Sequence, residues 1–171
     1  GDVYKRQTLP NPFESNANFA SALAQIGAEV DHQPLRSSAL ARIMRERFHG
    51  SDAGGAWDWR MAYDLMQAAA IQVVLRGDGA AGDIAAAKLL ASRLLTETRR
   101  SEQQIRLQQF STPLTFAALV LRAAAIRKGE TVLEPSAGTG ALAAFAARAG
   151  ATLLLNDIDP FRQRLLRAVF G

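Results

Sequence analysis

The sequence contains no cysteine in its 171 residues. This absence excludes disulfide bonds, thiolate metal sites and a cysteine nucleophile. The two histidines, His32 and His49, lack the close spacing of a metal-binding pair, so we expect structural or surface roles for both and no metal site. The chain also has no run of about 18 uncharged apolar residues and no visible secretory signal. We therefore expect a soluble cytoplasmic protein that makes no membrane contact.

An excess of basic residues is present but is not concentrated in one block. Lys and Arg total 20 against 16 Asp and Glu, which gives a formal net charge of +4. Because this excess is spread along the chain, it is only mild support for an anionic partner. Apolar residues make up 49% of the chain, which is enough for a hydrophobic core and argues against wholesale disorder.

Three regions differ in their sequence patterns. Residues 1–14 are predicted to be a leader outside the fold, because the chain does not begin with Met and its first residues, GDVYKRQ, resemble a cloning scar. Residues 15–100 contain stretches with apolar residues at helical spacing, separated by glycine-rich breaks, and are predicted to form a helical region. Residues 101–171 instead alternate between the patterns of helices and strands.

One helix of the helical region is important below. Its apolar stripe is predicted to face the core, with Arg60, Asp64 and Gln67 on the opposite side. Trp57 and Trp59 lie at its start in the stretch GAWDW. We expect these two rings to pack in the core or between helices rather than to stack on bases.

Residues 101–171 carry the pattern of a strand, a helix and a second strand. Two short apolar strands, predicted for Thr131 to Glu134 and Thr152 to Asn156, flank a loop with two glycines and an alanine-rich helix. Strands joined in this way must be parallel. The predicted fold class is therefore α/β, with a helical region followed by the first βαβ unit of a truncated Rossmann-like sheet.

The ends of three helices in this half are also predicted. Thr112 is placed as the N-cap of a helix whose first turn holds Pro113 and which runs to Lys128. The helix after the two glycines is predicted for residues 140–148. Asp159 is predicted to cap the last helix.

The loop of residues 135–140, called the glycine loop below, has a sequence that lets backbone approach a ligand. A phosphate-binding loop of the type G-x-x-x-x-G-K-[ST] is excluded, because Gly140 is followed by Ala141. A dinucleotide site fits in part: Gly138, Gly140 and Ala143 match G-x-G-x-x-[GA], and Asp157 lies where a ribose acid is expected. In such sites, however, the first glycine follows the strand almost directly, and here EPSA intervenes.

These intervening residues favour a small zwitterionic ligand. Glu134, at the carboxyl end of the first strand, can face an ammonium group, and the backbone after it can bend around the ligand without a pyrophosphate. S-adenosylmethionine (SAM) has this chemistry, since it combines an amino acid end with a sulfonium and a ribose–adenine end. From these residues alone, SAM and NAD both stay open.

The stretch VLEPSAGTGALA resembles the glycine-rich motif of class I methyltransferases, particularly the amino-methylating DNA enzymes with E-P-x-A-G-x-G. The resemblance implies that Glu134 and the backbone from Gly138 to Gly140 hold the methionine part of SAM. It further implies that Asp157 accepts hydrogen bonds from the ribose hydroxyls and that Ile158 lies against the adenine ring.

Upstream, QQFSTP is similar to the cofactor motif that precedes the glycine loop in one permutation of N6-adenine methyltransferases. There the residues before the proline cap a helix and bind the methionine carboxylate, a role that hydroxyls and free N–H groups at a helix start suit. The alternative is that Thr112 is only a helix cap. The cofactor-binding residues implied by the two motifs are Phe110, Ser111, Thr112, Glu134, Pro135, Ser136, Gly138, Gly140, Asp157 and Ile158.

Longer stretches between Ala20 and Phe170 resemble the amino-terminal part of the large bacterial and phage methylase–helicase proteins of the strawberry notch type. These stretches are GSDAGGAWDWRMAYDLMQAA, TRRSEQQIRLQQFSTP, VLEPSAGTGALA and LLLND. The resemblance implies a SAM-dependent DNA methyltransferase specific for adenine N6, with DNA as its partner. It also implies a helicase region that follows in the same polypeptide.

Catalytic residues are not expected in this chain. Enzymes of this kind bind the flipped base with [DNS]-P-P-[YF] after the fourth strand, whereas the sequence has only NPF, Asn11 to Phe13, which we interpret as a linker. Residues 101–171 are thus expected to be the amino-terminal half of a SAM-binding domain, inactive alone. The alternative is a non-catalytic, methyltransferase-like platform for the helicase, and a NAD-binding Rossmann domain ranks third. The coding sequence after Gly171 would discriminate between the first two.

Overall fold

The structure is a computed structural model that describes residues 16–97 and 111–171. Within these residues the chain forms seven helices and two short parallel strands. The helices are α1 (Asn16–His32), α2 (Ser37–Arg47), α3 (Trp59–Arg76), α4 (Ile84–Arg93), α5 (Leu114–Ala124), α6 (Ala141–Arg148) and α7 (Pro160–Phe170), and the strands are β1 (Thr131–Glu134) and β2 (Thr152–Leu155). Phe110 of the predicted cofactor motif and the stretch from Asn11 to Phe13 lie outside the described residues.

Helix α3 lies at the centre of the fold because little of its surface is polar. Its sequence, WRMAYDLMQAAAIQVVLR, has apolar or small residues on every side, and a helix of that kind is buried all round. It contacts α1, α2, α6 and α7. Asp58 begins the helix, since its carboxylate accepts a hydrogen bond from the Met61 N–H at 2.7 Å.

The prediction that Arg60 and Asp64 lie on an outer face of α3 is wrong. Asp64 is only 1% exposed, and the Arg60 side chain is largely covered. Both side chains contact the first turn of α7 instead of solvent. The physical reason is that α7 brings groups of opposite charge to this face, so burial of the two side chains is compensated by ion pairing.

Strands β1 and β2 form a two-stranded parallel sheet with α6 between them in sequence, which confirms the predicted strand–helix–strand order and is compatible with the predicted α/β class. Val132 pairs with Leu153, and Leu133 pairs with Leu154. Side chains alternate across a sheet, so Val132 and Leu153 pack on the core, while Leu133 is 69% and Leu154 is 54% exposed. The sheet therefore has one covered and one exposed apolar face.

Helix α5 is shorter than predicted at both ends. Its N-cap is Pro113, with no side-chain cap, so the prediction that Thr112 caps this helix is wrong. The predicted extension to Lys128 is also wrong, because the chain leaves the helix through a left-handed residue and then turns. In that turn the Glu130 carboxylate accepts a hydrogen bond from the Arg127 N–H at 2.9 Å, and the chain is redirected into β1.

One hydrophobic core joins the helical region to the strand–helix–strand unit. Leu65 of the helical region, Phe145 of α6 and Leu165 of α7, the helix that follows this unit, belong to the same cluster of buried side chains. Trp57 belongs to it as well and packs edge-on against Trp59, with ring centroids 5.5 Å apart, which confirms the predicted packing role. Two regions that differ in sequence pattern are thus packed as one unit.

Because the core is shared, Leu165→Ala should weaken both regions together. Leu165 is fully buried, and its truncation should lower the free energy of unfolding by about 2–5 kcal/mol. Urea unfolding followed by helix circular dichroism and by tryptophan fluorescence should show the same shift, since both Trp residues lie in the helical region.

The matched control is Leu154→Ala on the exposed face of the sheet, which should cost less than about 1 kcal/mol. A tryptophan transition that stays in place in the Leu165→Ala variant, while the circular dichroism transition shifts, would show two separate cores.

Candidate functional site

The candidate site lies at the carboxyl edge of the sheet. β1 ends at Glu134, which is in register with Leu155 at the end of β2. Two loops leave this edge side by side: the glycine loop leads to α6, and residues 156–159 lead to α7. Ligands of open α/β sheets bind in this position, in the crevice outside the carboxyl ends of the strands.

The backbone of the glycine loop is tied to the residues that follow β2. The Ala137 N–H donates to the Asn156 carbonyl at 2.8 Å, and the Gly138 N–H donates to Oδ2 of Asp157 at 2.8 Å. The Gly140 N–H donates to the Ala137 carbonyl at 2.8 Å. These three donors are used within the protein, so they are not available to cradle a phosphate.

Both loop glycines adopt left-handed backbone conformations, with φ of 58° at Gly138 and 95° at Gly140. Gly140 also faces α7, because a Cβ added there would lie 2.5 Å from the ring of Phe170. Its place in the structure is thus a packing contact between the start of α6 and the end of α7. Gly138 is half-buried, and its approach to a ligand stays a prediction.

Three of the predicted cofactor-binding residues present exposed surface at this edge. Pro135 and Ser136 form the exposed turn at the start of the glycine loop. Ile158, in the loop after β2, is 78% exposed. An exposed apolar side chain beside a strand end is a suitable surface for a flat aromatic ligand.

Glu134 is a carboxylate of the site with a perturbed pKa. Its side chain is half-buried, and its Oε2 atom is buried with no hydrogen-bond partner in the described part of the chain. Burial raises the pKa of Glu134 to about 7, against an opposing hydrogen bond from the Ala143 N–H and with a smaller contribution from the charge of Asp157. A cation beside Oε2 would supply the missing partner and favour the ionised form.

The predicted motif for the methionine carboxylate is described from Ser111 onwards. Ser111 and Thr112 are half-buried just before α5, and the Ser111 Oγ is buried with no hydrogen-bond partner among residues 16–97 and 111–171. Pro113, as the N-cap, provides no side-chain bond to the first N–H groups of α5. A buried hydroxyl without a partner next to an uncapped helix start has the donors that a carboxylate ligand needs.

Asp157 has a structural role that sequence reasoning missed. It is 5% exposed, and its Oδ2 accepts from the Gly138 N–H while its Oδ1 accepts from the Asp159 N–H at 2.9 Å. Its carbonyl accepts a hydrogen bond from the Gln163 side chain at 2.6 Å. Asp157 thus joins the glycine loop to the start of α7. Its contact with a ribose stays a prediction. In that contact, the ribose hydroxyls would have to donate to the remaining lone pairs of the carboxylate.

A buried charge cluster next to the glycine loop was also missed. It combines Arg60 and Asp64 of α3 with Asp157, Asp159 and Arg162 around the start of α7. Arg162 is 3% exposed, and burial raises the pKa of Asp64 while the hydrogen bond and charge of Arg162 oppose this rise. The helical region therefore reaches the candidate site directly.

In the described ranges, no group of three or more His, Asp and Glu side chains gathers as a metal site. None of the helices in those ranges has both the length and the apolar character that a membrane span requires.

No protein-family model, curated protein or solved structure matches the chain. The function is therefore inferred from the chemistry of the carboxyl edge together with the two sequence motifs.

Glu134→Gln should remove a pH dependence of stability. The ordinary pKa of this side chain is 4.5 and its value in the folded chain is about 7, so the folded chain holds a proton that the unfolded chain loses between these values. The contribution of Glu134 to wild-type stability should therefore fall by about 1–2 kcal/mol over this interval, after allowance for solvent screening, and should then stay level. The Glu134→Gln variant should not show this loss.

Urea unfolding at about pH 5 and about pH 8 measures the difference. The matched control is Glu46→Gln, which removes an exposed carboxylate on α2 and should leave the pH dependence of the wild type in place. The same loss of stability in wild type and in Glu134→Gln would mean that the carboxylate is well solvated in the folded chain.

Proposed function

We propose that the carboxyl edge of the sheet binds SAM, as the cofactor-binding part of a class I DNA methyltransferase that acts on N6 of adenine. The observation that supports SAM as the cofactor is the state of the Glu134 carboxylate. This group is half-buried, its pKa is raised, and its Oε2 atom has no partner in the described residues. A nearby cation stabilises such a group, and SAM brings an ammonium group. DNA and adenine N6 come from the resemblance of the two sequence motifs.

The position of Glu134 also favours SAM over a dinucleotide. In dinucleotide folds, the pyrophosphate binds at the amino end of the helix that follows the first strand. Here the Glu134 carboxylate lies near the first turn of α6, where the Ala143 N–H acts to lower its pKa. The N–H groups of Ala137 and Gly138 are used within the protein as well. A pyrophosphate would be repelled by the carboxylate and would find fewer free N–H donors. The ammonium group of a zwitterion would instead be attracted to the carboxylate.

Other residues suit the remaining parts of the cofactor. The Ser111 hydroxyl and the uncapped start of α5 would hold the methionine carboxylate. Ile158 would cover one face of the adenine ring. Asp157 would hold Gly138 in place and accept from the ribose with its remaining lone pairs.

The proposed reaction transfers a methyl group from the sulfonium of SAM to the N6 amino group of adenine. SAM, when bound, supplies the electrophilic methyl group. The residues described here bind and orient this cofactor. The chain has no [DNS]-P-P-[YF] sequence, so none of its residues is assigned to the target base.

Calorimetric titration of the chain should show binding of SAM and of its demethylated product, and no binding of NAD. Glu134→Gln should weaken SAM binding about tenfold, because the ammonium group loses a charged partner. Methylthioadenosine lacks the amino acid end, so its affinity should be the same for wild type and for Glu134→Gln. Ile158→Ala is the matched comparison and should weaken both ligands alike, since it removes apolar contact with the shared adenine.

The affinity of the wild type for SAM should also rise with pH around the Glu134 pKa of about 7, and Glu134→Gln should remove that rise. Tighter binding of NAD than of SAM would refute the cofactor assignment. SAM binding by the full-length protein without tritiated methyl transfer to duplex or single-stranded DNA would favour the non-catalytic platform.

A further inference from the structure

A buried ion pair joins the helical region to the last helix. Arg162 donates from Nε to Oδ2 of Asp64 at 3.3 Å and from Nη2 to Oδ1 at 2.9 Å. Arg162 is 3% and Asp64 is 1% exposed, so solvent does not screen the pair. Two parallel N–H···O bonds fix the orientation of α7 against α3 as well as the distance between them.

A second ion pair between the same helices lies beside the first. Arg60 forms a salt bridge with the Asp159 carboxylate, and the Arg60 Nε lies 4.0 Å from Oδ2 of Asp64. Asp159 in turn caps α7, since its carboxylate accepts from the Phe161 N–H at 2.8 Å. Helix α3 therefore holds the first turn of α7 with one carboxylate and one guanidinium.

The first turn of α7 is connected to the glycine loop in two ways. Asp157 accepts hydrogen bonds from the Asp159 N–H at 2.9 Å and from the Gly138 N–H at 2.8 Å. Arg162 also lies close to the loop, because a Cβ added to Gly138 would be 3.7 Å from its Nη1 atom. A displacement of α7 would therefore change the position of Gly138.

We infer that Asp64 and Arg162 are positioning residues for the glycine loop, so that the helical region forms part of the frame of the ligand site. The effect of this ion pair on SAM binding rests on the proposed function, whereas its effect on the position of the glycine loop does not. Stability alone does not require this pair, since apolar residues of similar volume often replace buried ion pairs without loss. Such residues do not reproduce the directed hydrogen bonds that set α7 and, through Asp157, Gly138.

Hydrogen exchange of the Gly138 and Asp159 amides, measured by NMR, tests this positioning without a ligand. The double variant Asp64→Leu/Arg162→Met keeps the buried volume and removes both charges, so its thermal unfolding midpoint should stay close to that of the wild type. Its two amides should nevertheless exchange at least about tenfold faster. The matched control, Arg42→Met/Glu46→Leu, removes an exposed ion pair on α2 and should leave both amides unchanged.

Titration with SAM and methylthioadenosine adds a second measurement. The double variant should bind SAM at least about tenfold more weakly, with a smaller loss for methylthioadenosine, because the glycine loop contacts the methionine end. If the double variant does not fold, Asp64→Asn keeps the shape of the side chain and replaces it in both measurements.

Unchanged exchange of Gly138 and Asp159 in a folded variant would overturn the inference, whether or not SAM binds. Faster exchange in the variant, together with no SAM binding by the wild type, would overturn the proposed cofactor and leave the positioning role standing.

Discussion

A carboxylate in the middle of an apolar helix is the constraint that sets how the two regions of this fold pack together. Asp64 lies on the central helix α3, where burial raises its pKa and the hydrogen bond of Arg162 and the charges of Arg162 and Arg60 oppose the rise. Leaving one member of such a pair alone in the interior costs about 3–5 kcal/mol. Asp64 of the helical region therefore lacks its partner Arg162 until α7 is in place. Its stability is coupled in this way to that of the strand–helix–strand unit.

The two carboxylates at the carboxyl edge of the sheet, Glu134 and Asp157, differ in the hydrogen bonds that the protein supplies to them. Both oxygens of Asp157 accept N–H groups of the chain, so this side chain builds the site and holds its loop. Glu134 keeps one buried oxygen without a partner in the described residues, and its pKa rises to about 7 as a result of burial. Glycine-rich loops are compatible with several cofactors. The unsatisfied carboxylate, rather than the glycine pattern, is what favours a cationic group in the ligand.

Sequence patterns predicted the features that depend on neighbouring residues. The bounds of β1 and the capping of α7 by Asp159 are of this kind. The pairing of Asp64 with Arg162 was not predicted, because the two residues are 98 positions apart and periodicity places a charged residue towards solvent by default. The orientation of Asp157 was not predicted either. A carboxylate after a strand has the same spacing whether it faces a ligand or the N–H groups of its own loop.

A signal for the buried pair was nevertheless present in the sequence. The stripe of α3 that holds Asp64 continues at helical spacing into Ile71 and Val74, both of which are buried. A stripe that becomes apolar faces protein along its whole length, so a charge on it needs a partner from another element. On α7, Arg162 shares a buried face with Leu165 in the same way. The two helices carry charges of opposite sign on their apolar faces, so packing those faces together pairs Asp64 with Arg162 and brings the helical region against the glycine loop.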